Sequence, residues 1–402
     1  MSPSNEPTGP IRHFGATEVL QAGAFLAELA AQHERGLLVC GPSHEQPRGL
    51  ASAVRSFADL SAWPVLADIG SPLRTGAGVE VVTRTEVMLR SPGFAGELDH
   101  AEVIVQLGGH HLSKALRLWA EQHRPTHTVL IDPAQQWLNP SFGLTAHITA
   151  SHASLLVAAV EALGDLGVAR RRSLWTSRWH DADAASSSAI EAHSALARGA
   201  QLDQPALAHH LLGAIPPDHI LYVSNSMPIR DVDSFGHAPA QPIDVHVHRG
   251  ANGIDGLISA TAGAAVSTGK SATLYCGDLA FLHDIGGLIT AAGLGVSLTI
   301  VVPDNNGGGI FSQLPIAGQL DAASFEEVFH TPHGLDLVEV ASIGPVRAQR
   351  VSTFQAFTDA YAAAATAKGI DVIVVPIDHR HDRARRAGLH AAISSRVASN
   401  SV

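Results

Sequence analysis

Short apolar runs alternate with longer segments of helical periodicity through the first part of the chain. GLLVCGP at 36–42 predicts a strand entering a turn, and 48–62 predicts a helix. PVLAD at 64–68, AEVIVQLGG at 101–109 and THTVLID at 126–132 predict further strands, with a helix at 113–123 between the last two. Nearly continuous apolar strands separated by helices indicate a parallel sheet covered on both faces. The rhythm breaks at 168–188, where RRR, Trp175 and Trp179 among polar residues, and DADAASSS read as a linker with a short helix. A domain boundary is therefore placed near residue 180. Beyond it the pattern resumes with HILYVS at 219–224, IDVHVH at 243–248, ATLYC at 272–276, SLTIVV at 297–302 and DVIVVPI at 371–377. The segments 255–269 and 284–294 are rich in Ala and Gly and poor in charge, which predicts helices buried on most faces, and 382–397 predicts a closing amphipathic helix. The expected fold is α/β, with two doubly wound, mostly parallel sheets: a central domain over 1–179 and a second domain over 180–402.

Composition narrows the function classes. Of 402 residues, 46% are hydrophobic and 16% charged, enough to bury two substantial cores. Twenty-six basic residues against 37 acidic ones give a net charge of −11, which argues against a nucleic-acid surface. A few local arginines can still hold an anionic substrate. Cys40 and Cys276 each end an apolar run and read as core residues. The opening MSPSNEPTGPIRHF lacks the regions of a secretory signal, and no apolar run is long enough to span a bilayer, so a cytoplasmic protein without a membrane partner is expected. The 24 histidines include His110–His111, His209–His210 and the alternating His246 and His248, but none makes a compact ligand spacing such as HExxH. They read as structural or surface residues.

The chemistry concentrates in GDLAFLHDIGGLITAAGLGVSLTIVVPDNNGGGIF at 277–311. Gly277 and Asp278 stand at the carboxyl end of one strand. A helix and a second strand follow, and Asn305–Asn306 and Gly307–Gly308–Gly309 stand at its carboxyl end, 27 positions on (278 to 305). Two polar turns so spaced can share one sheet edge, where ligands bind in open α/β folds. Mg²⁺ wants hard oxygen ligands and is often shared with phosphates. Asp278 offers a carboxylate, Asn305 an amide oxygen and Gly307 a backbone carbonyl, while the glycines let N–H groups approach an anion.

The words SNSMPIRDVDSF (224–235), RGANGIDGLISATAG (249–263), GDLAFLHD (277–284), NNGGGIFSQLP (305–315) and FEEVFHTPHGLD (325–336) occur in that order. Together with HDRARRAGLH at 381–390 and weaker likeness earlier, they resemble the thiamine-diphosphate-dependent 2-succinyl-5-enolpyruvyl-6-hydroxy-3-cyclohexene-1-carboxylate synthases of menaquinone biosynthesis. The resemblance implies decarboxylation of 2-oxoglutarate on thiamine diphosphate and addition of the resulting succinyl carbanion to isochorismate, a transferase reaction. It implies Mg²⁺, with Mn²⁺ as the alternative, bound by Asp278, Asn305 and Gly307. It further implies substrate contacts from Ser226, Arg230 and Arg249, a cofactor-bending contact from Ile254, cofactor contacts around Gly277, and pocket walls from Ile310, Phe311 and Leu314. Arg74, in SPLRTG, is a weaker candidate for a further substrate arginine.

One position departs from the family's pattern: Asp304 stands where an asparagine is usual, and a carboxylate beside a diphosphate is unfavourable unless it points away or meets a cation. The family also has an amino-terminal domain that binds the cofactor's pyrimidine end and supplies an activating glutamate. No segment before residue 36 reads as such a domain, so a separate or missing pyrimidine-binding domain is the expected partner. The chain alone is expected to be inactive, and the family's habit of building sites between subunits implies a homo-oligomer. Two alternatives stay open: a non-catalytic cofactor- or carboxylate-binding remnant, and another thiamine-diphosphate enzyme such as an acetolactate-synthase relative.

Overall fold

The structure, a computed structural model, describes residues 10–43, 45, 47–76, 78–198, 202–237, 239, 241–249 and 252–399. It divides into two compact units, Met1–Ser187 with Ile393–Val402, and Ser188–Ala392.

In the first unit β1 (Arg12–Phe14), β2 (Gly36–Cys40), β3 (Val65–Ala67), β4 (Val103–Leu107), β5 (His127–Ile131) and β6 (Ala146–Ile148) form one sheet in the order β1-β6-β5-β4-β2-β3. The pairs are parallel. Leu38, Val103, Val105, Val129 and Ile131 point into a core shared with Leu26, Val54, Phe57, Leu155 and Leu156 of the covering helices. β1 and β6 were not expected. They are three-residue strands, RHF and AHI, too short and too polar to form an apolar run.

Of the stretch 168–188, read as a linker with a short helix, 174–188 belong instead to a 24-residue helix, Leu174–Ala197, and the division between the units falls within it. Its tryptophans explain the correction. Trp175 and Trp179 are 5% and 0% exposed, and they pack edge-on to one another and against Trp119. Trp175 Nε1–H also donates to the Gly36 carbonyl at 2.9 Å. Two buried indoles anchor the helix, and Ala182, Ala185, Ala189 and Ile190 continue its buried side.

Arg74 lies in this first unit and is 3% exposed. Burial, reinforced by the Arg74 guanidinium, depresses the neighbouring His111 imidazole from 6.5 to about 3, against the pull of Glu86. The folded ring refuses a proton that the unfolded chain accepts. Its contribution is therefore whole above about pH 6.5 and is lost as pH falls toward 3. Unfolding measured in urea across that range should show stability falling with acid, and His111→Gln should flatten the slope. An unchanged slope would remove His111 as its cause.

In the second unit β7 (Ile220–Val223), β8 (Asp244–Val247), β9 (Ala272–Tyr275), β10 (Leu298–Asp304), β11 (Arg347–Arg350) and β12 (Ile370–Pro376) run in the order β11-β12-β10-β9-β7-β8, again with parallel pairs. β11 was also unexpected, since RAQR is an edge strand with no buried face. The helix expected at 284–294 is observed as Gly287–Leu294, preceded by a separate short helix, Asp278–His283. It and the helix Leu257–Thr268 are less buried than expected, with Val266, Ile289 and Leu294 more than half exposed. Both free cysteines are buried, as read. Among the described residues no helix is long and apolar enough to cross a membrane.

A buried ion network fixes the helix Met227–Phe235, which starts just after Ser226. Arg386 is 4% exposed and grips Asp231, 0% exposed, with both terminal guanidinium nitrogens. Its NH2 also reaches Asp382 and Gln204, each at 3.4 Å. Burial pushes the Asp231 carboxyl up, to about 6, against the pull of Arg386. Replacing Arg386 by Met would strand two buried carboxylates, so Arg386→Met should cost about 3–5 kcal/mol in urea unfolding. A loss below about 1 kcal/mol would show that the network contributes little beyond what surface pairs do.

Candidate functional site

β9 and β10 are neighbours in register, from Ala272↔Leu298 to Tyr275↔Val301, so their carboxyl ends lie side by side. After β9, Gly277 caps the helix that begins at Asp278, and that carboxylate is 2% exposed. One of its oxygens accepts from Leu279 N–H at 2.8 Å, and the other accepts from Gly307 N–H, also at 2.8 Å. The second bond joins the two turns directly. Asn305 is 8% exposed, and its side-chain Oδ1 is buried without a hydrogen-bond partner. A buried amide oxygen left unpaired costs stability unless a ligand satisfies it. Oδ1 of Asn305, the Asp278 carboxylate and the Gly307 carbonyl are all hard oxygens, so the donor set fits Mg²⁺ or Mn²⁺.

The three glycines serve a different purpose from the one expected. Gly307 has φ +153°, and a Cβ there would lie 2.2 Å from the His330 carbonyl oxygen. A Cβ on Gly308 would meet the Phe329 carbonyl at 2.6 Å, and one on Gly309 the Asn305 amide nitrogen at 2.5 Å. Their N–H groups are engaged within the protein: Gly307 with Asp278, Gly308 with the His330 carbonyl, and Gly309 with the Gly307 carbonyl. The glycines permit close packing of the loop, and these N–H groups are not left for an anion.

That packing surface, 326–334, lies inside the word FEEVFHTPHGLD quoted above, but none of its residues was given a role. His330 is 2% exposed, with Nε2 bonded to the Asn305 carbonyl at 3.0 Å and Nδ1 to Glu326 at 2.9 Å. His333 N–H donates to the Asn306 carbonyl, and Gly334 N–H to the Asn306 side chain at 2.8 Å. Among the described residues, two groups of side chains have ligand atoms within 4.8 Å of one another: Glu326, His330 and His379, and Asp278, Asp304 and His333. In the first, Arg380 also lies 3.6 Å from Glu326, so that carboxylate already has cationic company. In the second, Asp304 accepts from Asn306 N–H at 3.0 Å and faces His333 Nε2 at 3.6 Å. Burial, and secondarily the Asp304 charge, pushes the Asp278 carboxyl up to about 6 despite its two N–H bonds and His333. A bound divalent cation would reverse that balance.

β7 lies on the other side of β9. At its carboxyl end Ser226 adopts φ +70°, an uncommon conformation for serine, and Arg230 NH1 donates to the Ser226 carbonyl. Arg230 is exposed. Arg249, half-buried after β8, approaches Asn225 Oδ1 at 3.5 Å, and Asn225 Nδ2 donates to the Gly253 carbonyl at 2.7 Å. Gly250 and Ala251 of the same motif lie outside the described residues. Ile254 is half-buried against the core of the second unit. Ile310, Phe311 and Leu314 follow the loop, with Phe311 37% and Leu314 46% exposed.

Residues 24–223 match the sequence model of a middle domain of thiamine pyrophosphate enzymes, and residues 239–375 match that of the C-terminal TPP-binding domain. The chain belongs to the thiamine-diphosphate-dependent enzymes. It is 36% identical over 366 residues to a 2-succinyl-5-enolpyruvyl-6-hydroxy-3-cyclohexene-1-carboxylate synthase of Myxococcus xanthus, covering 91% of this chain and 60% of that protein. It is 31% identical over 386 residues to the synthase of the same name from Bacillus velezensis, covering 94% and 64%. The chain thus spans about three fifths of the length of the curated relatives it matches. A crystal structure of benzoylformate decarboxylase from Polynucleobacter necessarius shares the fold, with a TM-score of 0.62 and 16% identity over 90% of this chain and 65% of that one.

For this thiamine-diphosphate enzyme the β9–β10 edge predicts a strict glycine requirement. Gly307→Ala would press a methyl group on the His330 carbonyl, an overpacking worth about 1–3 kcal/mol. Hydrogen exchange at the Gly308 amide, bonded to that carbonyl, should then accelerate by about 5- to 150-fold if the loop opens locally. Unchanged exchange would contradict the packing argument.

Proposed function

We propose that this chain forms the cation- and diphosphate-binding part of a 2-succinyl-5-enolpyruvyl-6-hydroxy-3-cyclohexene-1-carboxylate synthase, acting on 2-oxoglutarate and isochorismate. The observation that carries this reading is the buried, unpartnered Oδ1 of Asn305 beside an Asp278 carboxylate bonded across to Gly307. Its specificity comes from the likeness to synthases of that name. Asp278, Asn305 and the Gly307 carbonyl hold Mg²⁺ or Mn²⁺, which neutralises the diphosphate. Thiamine diphosphate, when bound, supplies the electron sink for decarboxylating a 2-oxo acid. Ile254, Gly277, Ile310, Phe311 and Leu314 line the cofactor, the apolar members excluding water from it.

Ser226, Arg230 and Arg249 serve the substrates. Both substrates carry carboxylates, and a guanidinium pairs with a carboxylate through two parallel N–H bonds. Arg230 is exposed and spends one N–H on its own helix, so its remaining donors are free to turn toward an anion. The pyrimidine end of the cofactor is assigned to the part of the relatives' architecture that these residues do not span, and a second copy of the chain completes the site. The exposed Val266, Ile289, Leu294, Phe311 and Leu314 supply apolar surface for such contacts.

The purified chain should bind thiamine diphosphate only with Mg²⁺ or Mn²⁺, and Asp278→Asn should weaken that binding by about 100-fold or more, the loss of one charged ligand. Turnover of 2-oxoglutarate with isochorismate is expected once the amino-terminal part of a relative is added in trans. Arg230→Lys should then raise the KM for substrate while leaving cofactor affinity within about threefold, because lysine keeps the charge but not the fork. Metal-independent cofactor binding, or binding untouched by Asp278→Asn, would defeat the proposal.

A further inference from the structure

We propose that His333 is a positioning residue of this cation site, a single N–H donor set between Asp278 and Asp304 that makes an aspartate tolerable at position 304. The inference rests on the reading of the site given above.

The tautomer follows from the neighbours. Leu335 N–H donates to His333 Nδ1 at 3.0 Å, so that nitrogen is an acceptor and the neutral ring carries its proton on Nε2. The side chain is 9% exposed, and Nε2 is buried with no hydrogen-bond partner. It lies 3.5 Å from an Asp278 oxygen and 3.6 Å from an Asp304 oxygen, close to both and bonded to neither. With Nδ1 committed as an acceptor, Nε2 has no lone pair to offer an ion, so the grouping of Asp278, Asp304 and His333 is not a three-ligand metal site. The ring moves with the loop it serves, because His333 N–H and Gly334 N–H are both bonded to Asn306.

Asp278 therefore has two backbone donors, Leu279 and Gly307, Asp304 has one, Asn306, and one imidazole N–H lies near both carboxylates. Asp304 adds a negative charge next to the place where a diphosphate must sit, and like charges a few ångströms apart repel strongly in a site shielded from water. The His333 N–H, 3.6 Å from the Asp304 carboxylate, offsets that charge electrostatically. Asparagine at 304 would keep an oxygen to accept from Asn306 N–H without carrying the charge, and His333 would then have little left to offset.

That dependence can be tested by second-site suppression. Thiamine diphosphate is titrated calorimetrically into the full chain at saturating Mg²⁺, with the melting temperature of each variant recorded. His333→Leu should weaken binding about tenfold, the scale of a close dipole–charge contact in a site shielded from water. Asp304→Asn alone should bind at least as tightly as the unaltered chain, and His333→Leu with Asp304→Asn should recover to within about threefold of it. His333→Gln keeps an N–H donor and carries the test if the leucine variant does not fold; it should stay within about threefold, and a tenfold loss would overturn the inference. Loss of binding in His333→Leu that Asp304→Asn fails to restore, or no loss at all, also overturns it. Absence of Mg²⁺-dependent binding in the unaltered chain overturns the reading of the site and this inference with it.

Discussion

The hydrogen bond from Gly307 N–H to the Asp278 carboxylate ties together two segments 29 residues apart in sequence, and the rest of the site depends on it. It is possible because β9 and β10 are adjacent and parallel, so the chain leaves both strands at the same edge. A one-residue slip in either strand would turn Asp278 or Asn305 to the opposite face. The register is held by the strands themselves, which are buried on both faces. Apolar burial, with no directional content of its own, thus delivers two polar turns to one place.

Burying those turns has a cost, which the surrounding segment offsets. Asp278 is pushed toward its neutral form by burial, and Asn305 carries an unpaired oxygen. Against this, 326–334 closes over the loop through His330, His333 and Gly334. The residues Glu326–His330 form a π-helical turn, a rare geometry that brings the His330 side chain and carbonyl to bear on the same loop. The Ser226 turn is supported by a separate device, the Arg386–Asp231 pair, which anchors the helix that follows it. Local strain of this kind persists where the surroundings over-determine it.

Much of this was legible in the sequence, for a physical reason. Central parallel strands are buried on both faces, and GLLVC, VIVQL, ATLY and LTIVVP declare themselves as apolar runs. Edge strands have no such obligation, and RHF, AHI and RAQR passed unnoticed. Asp278, Asn305 and Gly307 could be proposed because cation chemistry restricts the ligand type. The glycine N–H groups were assigned to an anion because their true acceptors, the His330 carbonyl among them, are contributed by a distant segment. The roles of His330 and His333 were hidden for a similar reason: they arise from docking on a loop 25 or more positions earlier, which local spacing does not show. The one available signal was Asp304, an unfavourable charge that called for a nearby donor. Trp175 and Trp179 misled in the opposite direction, since the polar residues around them in sequence concealed two indoles that are buried in the fold.

The central claim is that the β9–β10 edge is a divalent-cation site built from Asp278, Asn305 and the Gly307 carbonyl. Anomalous diffraction at the manganese edge, from crystals of the chain grown with Mn²⁺ and thiamine diphosphate, tests it most directly. The account predicts an ion bound by those three oxygens and by the diphosphate, with His333 outside its coordination sphere. An ion held instead by Glu326, His330 and His379, or one ligated through His333, would contradict it.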